Sequence, residues 1–235
     1  MPIAQPGQND PNMLGVSQYV RNPLDFYVTP KRAVEALLSI IGDDLPAWQV
    51  WEPFCGDGAF SAVIKPWARD ILSTDIRAYE GFDPDGLIDF FNISPDHDHY
   101  AAAMQTFTMA CALEAESEMA LPMRMADIED INGFMPDAII TNPPYGKDAD
   151  RAARHAIKLM EASKGVVIFL CRQEWDSAKG RADLFDHPAF AMKITLRHRP
   201  RWIANSKGAP RHNYAFYVWN WAKPKAASPE IRYAA

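Results

Sequence analysis

WQVWEPFCGDGAFSAVIKPWARDILSTDI, Trp48–Ile76, decides the architecture. WQVWEPF (48–54) reads as a strand and CGDG as a tight turn. AFSAVIKPWA then opens a helix that Pro66 bends or ends, because proline lacks an N–H and clashes with the preceding turn. DILSTDI (70–76) is a second strand. Strand, glycine turn, helix and strand in that order make a βαβ unit, whose right-handed crossover sets the two strands parallel.

The alternation continues on both sides. TPKRAVEALLSII reads as a helix with Thr29 as its cap, Pro30 at its first position, and Val34, Leu37, Leu38 and Ile41 on one face. GLIDFF (86–91) is a candidate third strand, residues 98–120 are rich in Ala, Met and Glu and predict a helix, and PMRMADI (122–128) is another candidate strand. MPDAIITN (135–142) is a clear strand, followed by a helix near 149–163 and a buried strand, GVVIFLC (165–171). AMKITLRH (191–198) and NYAFYVWNW (213–221) are two final strands joined by a basic loop. The order predicts an α/β domain that ends in a hairpin and so contains one antiparallel strand.

Composition narrows the functional classes. A chain of 235 residues suits one domain with a full core, and 48% hydrophobic content excludes disorder for most of it. No apolar run approaches 18 residues, and MPIAQPGQNDPNMLG lacks the basic-then-apolar layout of a secretory signal. Residues 1–22 therefore read as a flexible lead-in, and the expected location is the cytoplasm. Cys55, Cys111 and Cys171 are far apart with no C-x-x-C spacing, which predicts free thiols and no zinc site. The DHDH at 96–99 and His187 have no matching ligand set and read as exposed polar residues. The net charge of −6 hides an asymmetry: from Pro188 to Pro229 there is no Asp or Glu, but eight Lys or Arg. Such a chain can turn one basic face to a polyanion.

The chemistry sits at strand ends. Gly56 and Gly58 let a ligand approach the backbone closely. The spacing is G-x-G without the rest of a dinucleotide fingerprint, and no Walker lysine comes after it. Acidic Glu52 and Asp57 suit a cationic ligand better than phosphate. Asp75 ends the next strand about 20 residues on, where a carboxylate can accept from both ribose hydroxyls. Together these predict a nucleoside cofactor that carries positive charge. In IITNPPYGK, Ile139–Lys147, Pro143 and Pro144 stop a strand and stiffen the loop after it.

EPFCGDG, TDI and TNPPYG in this order, with DFYVTP upstream, resemble the class I S-adenosylmethionine-dependent methyltransferases that act on amino groups, most closely the adenine-N6 DNA methyltransferases. The resemblance covers roughly 25–91 and 127–221. It implies a Rossmann-like, mostly parallel seven-stranded sheet with one antiparallel strand and helices on both faces. The methyltransferase domain would span 23–223 with a helical insertion around 92–126, and 224–235 would be a tail. It implies S-adenosyl-L-methionine as cofactor and a catalytic loop of Asn142, Pro143, Pro144 and Tyr145. There the Asn142 oxygen and the Pro143 carbonyl accept the two amino hydrogens, and Tyr145 stacks on the base. Cofactor contacts carry over to Glu52, Pro53, Phe54, Gly56 and Gly58 at the turn. Asp75 would take the ribose and Ile76 the adenine, with Tyr27, Thr29 and Pro30 at the methionine end. Two places compete for the contact to the cofactor's adenine amino group, Asp89-Phe90 and Asp127-Ile128, and the residue types favour Asp89.

The loop Leu196–Asn213 supplies the candidate acceptor contacts Arg199, Arg201, Trp202, Lys207 and Arg211, cations for phosphates beside a ring for stacking or wedging. The segment after Cys171 is a candidate lid or substrate loop. The expected partner is DNA, and RNA remains open. Two rivals stand beside adenine-N6 methylation: transfer to a ribosomal RNA base or a protein glutamine, and a non-catalytic nucleic-acid-binding protein on the same scaffold.

Overall fold

The computed structural model describes residues 28–94, 135–202, 209–222 and 228–235. Its centre is an eight-stranded sheet. β1 (Gln49–Glu52), β2 (Asp70–Asp75) and β3 (Gly86–Leu87) come first, then β4 (Ala138–Thr141) and β5 (Val166–Arg172). β6 (Phe190–Leu196), β7 (Tyr214–Asn220) and β8 (Glu230–Ala234) complete it, in the order β3-β2-β1-β4-β5-β7-β6-β8. Among the described strands, only β7 runs antiparallel to its neighbours. The described helices are α1 (Lys31–Ile41), α2 (Ala59–Ile64), α3 (Lys147–Ser163) and α4 (Ala182–Phe185). The Rossmann-like, mostly parallel architecture expected from the alternation is thus the observed one.

Strand alternation divides the core. Val50, Ile140, Ile168 and Phe216 face α1 and α2, whose Val34, Leu37, Phe60 and Ile64 complete one apolar layer. Trp51, Ile139, Val167, Tyr217 and Trp219 face the other side. There α3 lays down Ala152, Ala153, Ala156 and Met160. Small residues on the helix leave room for large rings on the strands. Each large apolar side chain buried this way contributes roughly 1.5–3 kcal/mol.

Three expectations differ from the observed fold. The sheet has eight strands, not seven, because Glu230–Ala234, expected within a tail, pairs in parallel with β6 from Met192↔Glu230 to Leu196↔Ala234. That strand shows little in the sequence, since its Ile231 and Tyr233 are exposed and its order comes from backbone pairing to an otherwise open edge. The third strand is only Gly86–Leu87, because Asp89 caps a 3₁₀ turn over Phe90–Asn92 by accepting from the Phe91 N–H, and the chain leaves the sheet. Finally, α1 is preceded by Pro30 with no side-chain cap, and Thr29 is engaged elsewhere. The expected helix at 98–120, the candidate strand at 122–128, Cys111 and the DHDH at 96–99 lie outside the described residues. No helix among the described residues is long and apolar enough to cross a membrane.

Candidate active site

The strand order reverses at β1. β2 and β3 lie on one side of it, and β4 and all later strands on the other. In an open α/β sheet this switch point leaves a crevice at the carboxyl ends of the strands. A cleft of about 540 Å³ occupies that place. The glycine turn after β1, the end of β2, the 3₁₀ turn after β3 and the loop after β4 line it together.

The turn after β1 is built tightly. Gly56 and Gly58 both have positive φ, 56° and 71°. Gly58 is closed from outside by the Phe82 ring, which a Cβ there would overlap. Gly56 lines the cleft, and its N–H donates to Asp75 Oδ2 at 2.9 Å. The Ile76 N–H donates to the other carboxylate oxygen at 2.8 Å. Burial raises the Asp75 pKa, and these backbone donors oppose the rise. Each oxygen keeps a lone pair for a hydroxyl donor. Beside it Ile76 is 68% exposed and lies on the cleft wall, an apolar surface that a flat ring would cover.

Glu52 behaves differently. It is almost fully buried and does not line the cleft. Its carboxylate accepts from the Ser61 hydroxyl, which is 2.6 Å from that of Ser73. Burial pushes its pKa well up, so it belongs to the support behind the turn.

After β4, the loop brings Asn142, Pro143 and Pro144 into the cleft opposite Gly56 and Asp75. The Asn142 Nδ2 donates to Thr29 Oγ1 at 3.2 Å, while its Oδ1 is buried without a hydrogen-bond partner. Leaving such an acceptor unpaired costs about 1–3 kcal/mol, which a donor from an incoming group would recover. Tyr145 turns away from the cleft. Its ring meets Trp202 at 6.0 Å, edge to face, and Tyr214 at 6.5 Å.

Of the remaining predicted residues, Thr29, Pro53, Phe54, Asp89 and Phe90 line the cleft. Pro30, Arg201 and Trp202 line a separate groove of about 930 Å³ between α1 and α2. Arg199 and Arg211 lie on the loop after β6; Arg199 donates to Asn213 Oδ1 at 2.9 Å. Tyr27, Lys207 and Asp127 lie outside the described residues. The candidate lid after β5 is tied down. Asp150 on α3 accepts from Trp175 Nε1 at 2.8 Å and Arg181 Nε at 2.7 Å, and Lys193 bonds Asp176 at 2.6 Å.

Sequence reasoning missed two parts of the wall. Arg77 lies over the Tyr79 ring and donates to its hydroxyl at 3.0 Å; both side chains line the cleft near Asp75. Arg151, in the first turns of α3, sits 3.7 Å above the Phe91 ring, and Asp148 stands beside it on the wall. Phe91 comes directly after the Asp-Phe pair and was within reach of the motif. Arg151 lies on a helix legible only by its apolar face, and no local signal marks it. No group of His, Cys, Asp and Glu among the described residues is arranged to hold a metal.

No protein-family model matches the chain, and no curated protein matches it. Solved structures resemble it at the level of the backbone. One, from Pyrococcus horikoshii and provisionally assigned as an RNA methyltransferase, is 16% identical over 89% of this chain and 95% of its own, at a TM-score of 0.49. A dimethyladenosine transferase from Plasmodium falciparum is 11% identical over 83% of this chain and 62% of its own, at a TM-score of 0.43. A modification subunit of a provisionally assigned type I restriction enzyme from Vibrio vulnificus is 13% identical over 85% of this chain and 45% of its own, at a TM-score of 0.42.

Proposed function

We propose that the protein is an S-adenosylmethionine-dependent methyltransferase that acts on the exocyclic N6 amino group of adenine in DNA. The observation that carries this reading is the Asn142 carboxamide. Asn142 lines a cleft whose other walls are a glycine turn and a ribose-suited carboxylate, and its acceptor oxygen is buried just behind that wall without a partner.

The cleft fits the cofactor by size and by chemistry. Small-molecule sites commonly fall at about 300–1,000 Å³. Asp75 would take the ribose hydroxyls, exposed Ile76 the adenine face, and Asp89 or the neighbouring backbone its amino edge. Asp57, Asp75, Asp89 and Asp148 outnumber Arg77 and Arg151 on the cleft wall, a surplus of carboxylates that favours a cation. When bound, S-adenosylmethionine supplies an electrophilic methyl group on a positively charged sulfur.

The residues of the chain do the rest. The lone pair of an adenine amino group is delocalised into its ring. Asn142 Oδ1 and the Pro143 carbonyl would each accept one amino hydrogen, drawing the nitrogen toward pyramidal geometry and localising its lone pair. The prolines hold both acceptors on a stiff loop. Orientation of this kind contributes up to ~7–11 kcal/mol in favourable cases. Because Oδ1 is shielded from solvent, the loop has to part slightly to admit the amine. No strong base is required before transfer, since the amine proton becomes acidic only afterwards. A base in a duplex would have to leave the stack to reach the loop. Arg199 and Arg211, on the loop after β6 at the same sheet edge, suit backbone phosphates.

The test is incubation with methyl-labelled cofactor and DNA, RNA or protein, followed by nucleoside and amino-acid analysis. Label recovered as N6-methyladenine from DNA is the expected result. Label only in RNA or protein overturns the acceptor, and no cofactor binding at millimolar concentration overturns the enzyme itself.

A further inference from the structure

Thr29 and Tyr145 were expected to hold the cofactor's carboxylate and to stack on the acceptor. The geometry points to another task for both: we propose that Thr29 and Tyr145 are positioning residues that fix which end of the Asn142 carboxamide faces the acceptor. The inference rests on the proposed methyltransferase reading for its kinetic consequences, but the contacts themselves do not.

Asn142 has two chemically opposite ends. Only Oδ1 can accept an amine hydrogen; Nδ2 would present donors to donors. A free carboxamide exchanges these ends by rotation about its last bond. Here Nδ2 donates to Thr29 Oγ1 at 3.2 Å, and Oδ1 is left unpaired. Thr29 alone does not settle the choice, because a hydroxyl can both donate and accept. Tyr145 adds the asymmetry. Its hydroxyl is buried, its ring lies 6.5 Å from that of Tyr214, and it sits three residues along the same loop from Asn142. Burial raises the Tyr145 pKa and Asn142 opposes that rise, the direction given by an N–H turned toward the phenol oxygen. Lone pairs there attract Nδ2–H and repel Oδ1. The ring is held against Trp202 and Tyr214, outside the cleft wall, so its hydroxyl is the part that works on the loop. Thr29 reaches Asn142 across 113 residues of sequence, so a residue ahead of α1 braces the loop after β4.

Three variants test this. Thr29→Val keeps the shape and loses the acceptor; Tyr145→Phe keeps the ring and loses the hydroxyl; Thr29→Ser keeps the acceptor. Thr29→Val and Tyr145→Phe are expected to lower kcat about tenfold or more while the cofactor Kd stays within about twofold, and Thr29→Ser to restore most of the loss. The Asn142 side-chain amide signals, assigned from their loss in Asn142→Ala, are expected to shift in Thr29→Val and Tyr145→Phe and to return in Thr29→Ser. A raised cofactor Kd with unchanged kcat in Thr29→Val would return Thr29 to the cofactor. Wild-type kcat in Tyr145→Phe would return Tyr145 to stacking. Amide signals identical in all three variants overturn the inference whatever the activity. An inactive parent protein with the expected amide shifts overturns the proposed function and leaves the positioning contacts standing.

Discussion

Among individual residues, the site divides into groups that line the cleft and groups that support them. Asn142→Ala is expected to cut turnover about 10²–10³-fold with cofactor affinity nearly unchanged, as when one oriented transition-state contact is removed. Asp75→Ala should raise the cofactor Kd first, and paired calorimetry and single-turnover kinetics separate the two. Glu52 makes a pH prediction. Its folded pKa is raised by burial, so its contribution to stability is fully present below the unfolded carboxylate range and is lost as pH rises through the folded value. Thermal unfolding of Glu52→Gln between about pH 5 and 8 should therefore fall less with pH than that of the parent chain. An equal slope in both would show that Glu52 is not the group responsible.

One level up, the glycine turn and the loop after β5 are each held by contacts far apart in sequence. Gly58 has φ 71° and the Phe82 ring against it, so a methyl group there meets both strain and overlap. Gly58→Ala is expected to cost about 1–3 kcal/mol and to lower cofactor affinity, because moving Phe82 moves the segment that carries Ile76, Arg77 and Tyr79. Chemical denaturation and cofactor titration of the same variant check both halves. The clamp at Asp150 ties the segment after β5 to α3. Asp150→Ala leaves the Trp175 indole N–H and the Arg181 guanidinium without their shared acceptor, and should cost about 1–3 kcal/mol and speed hydrogen exchange over 173–186. Exchange already fast in the parent chain would restore the lid.

Across the molecule, charge is polarised: the net charge is −6, yet eight Lys or Arg and no acidic residue fall between Pro188 and Pro229. Acceptor binding should weaken with salt, and Arg199→Ala with Arg211→Ala should each reduce the log–log salt slope by about 1 if each meets a phosphate. A slope unchanged in the double variant would remove that loop from the interface. Much of this organisation is local. Strand, glycine turn, helix and strand around Trp48–Ile76, the stiff loop at Asn142 and the acid at Asp75 each obey short-range rules of backbone and side chain, and are legible in the linear chain. The features hidden there depend on partners distant along it. Ile231 and Tyr233 point outward, so β8 is a strand only because β6 offers an open edge. Arg151 belongs to the cleft only because α3 packs where Phe91 comes to rest. The order of amino acids was enough for the βαβ unit and for many of the residues that line the cleft. The brace on Asn142 was decided by folding alone, because Thr29 meets it only once the sheet has closed the distance between them.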